Sequence, residues 1–103
     1  MEAKDLFSIS KRLFYKVKWE GEYFHIGQLP HKDIDTLMHT ISNYFQSDSV
    51  HLILDRQHSK TISLTALHSF LQTSDENFVL WDEHFNSSID YHSIGVFRKG
   101  RIS

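Results

Sequence analysis

Between positions 13 and 19 the chain alternates. Leu13, Tyr15, Val17 and Trp19 fall on one side; Phe14, Lys16 and Lys18 fall on the other. A period of two predicts a β-strand with one buried face. Glu20-Gly21-Glu22 has the composition of a turn, and residues 23–27 read as a second strand, so an N-terminal hairpin is expected. Residues 3–10, just before it, predict a short helix.

From Asp33 to Gln46 the period changes. Ile34, Leu37, Met38, Ile41 and Phe45 recur at spacings of three and four, the single apolar stripe of an amphipathic helix. Asp33 or Asp35 caps its start. Residues 50–55 are mostly apolar, as in a strand covered on both sides. Residues 61–64 suit a short strand hairpinned onto it. Residues 63–72 suit a helix capped by Ser63 and buried through Leu64, Leu67, Phe70 and Leu71, which is the favoured reading, with Thr61 and Ile62 leading in. Residues 77–82 and 93–98 read as the last strands. The expected fold is α/β of the α+β kind: a small sandwich with a mixed sheet of about five strands in the order ββαβαββ, packed by two main helices in two or three layers.

Composition adds boundaries. A chain of 103 residues is expected to form one domain, residues 1–103, and one Pro and four Gly leave no linker. Aromatic content of 14% argues against disorder. With no Cys, disulfides and Cys-based zinc sites are excluded. The opening residues lack a secretory pattern, and no apolar run approaches the ~20 residues of a membrane span. A cytoplasmic protein with no membrane partner is expected.

Charge is uneven. Residues 33–90 carry nine acids against Arg56 and Lys60, while residues 1–32 and 91–103 are net basic. An acidic middle suits a cationic partner.

The eight His are scattered, with no HxH, HxxxH or HExxH pair, so no metal or cofactor is expected. His84 and His92 with Lys60 form a candidate trio for RNA cleavage by acid–base chemistry. No Ser occupies a G-x-S-x-G turn, and the scattered Gly build no phosphate loop. Phe14, Tyr15, Lys16 and Lys18, joined by Arg98, Lys99 and Arg101, suit either a base-stacking surface or an edge strand kept soluble by Lys. Nucleic acid is the less favoured partner.

The densest local chemistry is Trp81-Asp82-Glu83-His84-Phe85 at a strand end. Were the strands at 50–55 and 77–82 parallel neighbours, Asp55 would join Asp82 on one sheet edge, while Asp75 and Glu76 would enter from the other end. The expected docking surface is Asp55, Asp75, Glu76, Trp81, Asp82, Glu83, His84 and Phe85. Its aromatics act as anchors and its acids steer a basic partner. The alternative is a buried Trp81 beside acids that only solubilise a loop.

In size, composition and the run from Asp55 to Asp90, the chain resembles the small immunity proteins of bacterial contact-dependent growth inhibition and other polymorphic toxin systems. The resemblance implies a cytoplasmic, non-enzymatic inhibitor of a cognate toxin domain. That domain is often a nuclease with a basic cleft, met by Asp82, Glu83, Asp55, Asp75 and Glu76 with Trp81 and Phe85 as anchors. Monomer and homodimer are both compatible with it. A small His-dependent nuclease and a nucleic-acid-binding adaptor are the alternatives.

Overall fold

The computed structural model describes residues 1–102. Helix α1 (Ala3–Leu13) runs through a 3-10 turn (Phe14–Lys16) into β1 (Val17–Trp19) and β2 (Phe24–His25). Helix α2 (Ile34–Phe45) leads to β3 (Ser49–Ile53) and β4 (Lys60–Ser63), and α3 (Leu64–Thr73) to β5 (Phe78–Trp81), β6 (Ser87–His92) and β7 (Val96–Ile102). The α+β class stands, but the finer expectation is corrected: among the described residues seven strands, not about five, form one sheet, every pairing in it is antiparallel, and there are three α-helices.

The sheet order is β1-β7-β6-β5-β3-β4, with β2 also on β7. The expected N-terminal hairpin does not form. Both β1 and β2 run antiparallel to β7, one after the other along its outer edge: Val17 faces Ile102, Trp19 faces Gly100, and Phe24 faces Phe97. Residues 13–16, expected in a strand, continue the helical path instead. The helix gains what the strand would not: Leu6 and Ser10 buried one turn apart on the sheet.

Both readings of residues 61–72 are realised in succession. Residues Lys60–Ser63 hairpin onto β3, and Ser63 then caps α3 by accepting the Ala66 N–H at 3.1 Å. Strands β4 and β5 flank β3 and run in the same direction, so α3 makes the crossover that parallel neighbours would need while β3 fills the gap.

Strand β6 was not expected at all. It is a central strand, buried almost throughout, yet it contains Ser87, Ser88 and Asp90. Ser88 survives burial by donating to the Leu80 carbonyl at 2.8 Å.

Two cores result. On the back of the sheet α2 and α3 bury Leu37, Ile41, Leu67 and Leu71 against Leu52, Leu80, Ile89 and Phe97. On the front, α1 alone packs Leu6 against Val17, Ile53 and Trp81. Lys32 has a fully buried side chain that joins the layers of the back core. Its Nζ donates to the last carbonyls of α3, Leu71 at 3.2 Å and Ser74 at 2.7 Å, and pairs with Asp75 at 3.2 Å. A cation at a helix C-terminus meets both the unpaired carbonyls and the dipole.

Candidate functional site

The stretch at the end of β5 divides. Trp81 is fully buried under α1, and its indole Nε1–H donates to Ser10 Oγ at 2.8 Å. It is a core residue and not the exposed anchor expected. Phe85 is half-buried, stacked on His51 at 4.5 Å between ring centroids, and turns the chain with a φ of +57°. Asp82 builds the β5–β6 turn: its Oδ1 accepts the N–H of Asn86 at 2.6 Å and of Ser87 at 3.1 Å. The side chains of Glu83 and His84 stand free on the surface. With Asp82, Asp48 and Ser47 they line one polar hollow beside the end of α2.

The remaining expected acids lie elsewhere. Because β3 and β5 are antiparallel, with His51 opposite Trp81 and Ile53 opposite Val79, Asp55 emerges at the sheet end away from Asp82. There it shares a hollow with Glu76 and His58. Hydrogen bonds from the His58 ring and the Gln57 N–H hold its carboxyl below the usual carboxylate range. Asp75 is half-buried and already engaged: burial pushes its carboxyl up, but the Leu29 N–H, the Lys32 ammonium and the Tyr91 hydroxyl together bring it below the usual range. The acidic middle of the sequence is therefore not one surface. Asp82 and Glu83 are on one end, Asp55 and Glu76 on the other, and Asp75, half-buried, is taken up by Lys32 and Tyr91.

The trio of His84, His92 and Lys60 is not assembled. His84 precedes β6 and His92 ends it, while Lys60 starts β4, with β5 and β3 between that strand and β6. Among the described residues, no three His, Asp or Glu side chains converge as metal ligands. No helix in the described residues is long and apolar enough to cross a membrane.

The site that the fold does build is on the front of the sheet. An 11-residue helix cannot cover seven strands, and α1 leaves the lower ends of β3, β5 and β6 open. The result is a groove of about 360 Å³ between α1 and the sheet, with Phe7, Lys11, Phe14 and Tyr15 as one wall. Ile53, Val79 and Asp90 form its floor, and they are cross-strand neighbours in one row that continues to Arg98. A concave, mostly apolar site with a few fixed polar groups is the usual form of a binding site.

The polar groups are held firmly. Asp90 Oδ2 accepts from Arg98 Nε at 3.0 Å and from His92 Nε2 at 3.1 Å. The Arg98 guanidinium lies 4.2 Å from the Trp19 ring centre, with Tyr23 at 5.4 Å and Phe14 at 5.8 Å. Lys18 lies opposite Arg101 in the sheet register, whereas the aromatic residues Phe14, Trp19 and Tyr23 meet Arg98. They box in the cation, however, and do not lie flat as a stacking platform. Tyr15 alone stands out, 88% exposed. Lys99 and Arg101 point to the other face, over Tyr44, whose hydroxyl is pushed up to about 12 by burial and by Glu20.

Sequence reasoning missed Asp90 and the pairing of His92 with it. The signal was present: Asp90 and His92 sit two apart, on one face of any strand, and an acid amid Ile89 and Tyr91 needs a partner. Comparison of the chain with protein-family models, with curated proteins and with solved structures finds no match in any of the three.

Proposed function

We propose that this protein works by binding another protein on the front of its sheet, and that it is not a catalyst. The observation that carries the reading is the groove itself. It is an apolar trough whose floor charges are already fixed, beside an aromatic residue, Tyr15, that has no role in the core. Aromatic and Arg side chains are the usual anchors of protein interfaces, and pre-fixed side chains lose little entropy on binding.

A second reading keeps the inhibitor of a basic toxin domain. Its support is the hollow shared by Asp48, Asp82, Glu83 and His84, which would face cations at the opposite end of the sheet. One experiment separates the two. The protein is immobilised in wild-type, Tyr15→Ala, Val79→Trp and Glu83→Lys forms, each checked for fold by circular dichroism, and proteins retained from the source cell are identified. Under the first reading one protein is retained by wild type and by Glu83→Lys, and is lost from Tyr15→Ala and Val79→Trp. The reverse pattern favours the inhibitor reading, and equal retention by all four sinks both.

A further inference from the structure

The groove is a single compartment that stops at His92. There the Tyr23 ring stands edge-on to the imidazole, with 5.6 Å between centroids, and closes it. What stays open lies between the wall of Phe7, Phe14 and Tyr15 and the floor of Ile53, Val79 and Asp90. Its volume of about 360 Å³ is at the small end for a binding site and suits one large side chain of a partner better than a length of chain.

The floor carries one open polar atom. Asp90 is 6% exposed, and only its Oδ2 is engaged, by Arg98 and His92. No donor reaches Oδ1 among the described residues, yet no fully enclosed side-chain oxygen or nitrogen there lacks a partner. Oδ1 is therefore open, and because Asp90 lines the groove, the groove is where it opens. A carboxylate oxygen at the bottom of an apolar site needs an N–H or O–H from whatever fills that site, since covering it without one is costly.

Charge decides which donor. Asp90 is the one acid in the lining, and the Arg98 guanidinium beside it balances its charge. Lys11 adds a positive charge to the wall. A cationic guest would give up its hydration against Phe7, Phe14, Ile53 and Val79 with no net negative charge to meet. A neutral donor on an apolar body meets both conditions. Among protein side chains the indole of Trp joins the largest apolar area to one N–H and brings no acceptor of its own, whereas the phenol of Tyr brings one. Resting on the proposed protein-binding role, we propose that the partner seats a Trp side chain in the groove. Its rings pack against Phe7, Phe14 and Val79, and its indole N–H donates to Asp90 Oδ1.

The probe is N-acetyltryptophanamide, set against its benzothiophene analogue, in which sulfur replaces the N–H without added bulk, and against N-acetyltyrosinamide. Each is titrated to several millimolar into ¹⁵N-labelled protein. Changing the ligand leaves Asp90, on which Arg98 and His92 depend, untouched. The expected result is movement of the Val79 and Asp90 amides, with the indole bound about tenfold more tightly than the benzothiophene, because a hydrogen bond to a charged acceptor is all that the exchange removes. Val79→Trp, which fills the floor, should abolish the movement with all three. Equal binding of indole and benzothiophene, tighter binding of the tyrosine amide, movement that persists in Val79→Trp, or no movement overturns the proposal. Should the captured protein be lost from Tyr15→Ala and Val79→Trp while indole and benzothiophene bind alike, the binding role stands and only the Trp is removed. Equal retention by all forms in the capture assay removes the binding role itself, and the proposal with it.

Discussion

Trp81 and Asp75 were expected to face a partner, and both work inward. The Trp81 indole is satisfied by Ser10, a residue 71 positions away that no local pattern links to it. Replacing Trp81 by Phe leaves the buried Ser10 hydroxyl without that partner and a space beneath α1. The expected cost is about 2 kcal/mol, a fall in Tm of roughly 10 °C, with retention of the partner protein unchanged. A scanning calorimeter and the capture assay check the two halves. Asp75 gives a pH signature. Its folded carboxyl titrates below the ordinary value of about 4, so the stability it contributes is full above that value and fades as pH falls through the folded one. Urea unfolding of wild type and Asp75→Asn should therefore converge from about pH 5 toward pH 2. A gap that stays constant with pH would show that the ionised carboxylate is not what matters.

Among the elements, α2 was legible to within a residue or two. Its apolar stripe is complete, and Asp33 caps it by accepting the Thr36 N–H at 3.1 Å. Strand β6 was illegible for a physical reason: Ser87, Ser88 and Asp90 read as loop, and only cross-strand partners make their burial tolerable. The alternation at 13–19 misled because a helix end and a three-residue strand divide it, and Leu13 and Trp19 reach the same front core by different routes. The candidate site suffered most. Its acids were read as one surface on the premise of parallel strands, whereas antiparallel pairing of β3 and β5 sends Asp55 and Asp82 to opposite ends. The contact of β1 with β7 depends on Gly100. A Cβ there would sit 2.5 Å from the Lys18 carbonyl oxygen and 2.7 Å from Val17 Cγ1. Gly100→Ala should push β1 off the sheet edge, read as at least tenfold faster amide exchange at the Gly100-facing residues of β1 while α2 keeps its protection. Unchanged exchange would mean that β1 is held by its side chains.

At the scale of the molecule, the sheet divides the protein into unequal halves. The back is closed by two helices, while the front is closed by one and left open where the groove lies. The joining of sequence-distant segments also has a temporal side. Among the described residues, strands β1 and β2 touch the sheet only along β7, the most C-terminal of the strands there, and α1 packs on Trp81 and Ile53. During synthesis, at about 5–20 residues per second, residues 3–25 leave the ribosome seconds before anything they can pack on. Val17 must wait for Ile102. Until Ile53 and Trp81 arrive the apolar face of Leu6, Phe7 and Leu13 is uncovered, and the front core is complete only when β7 brings Ile102 onto Val17.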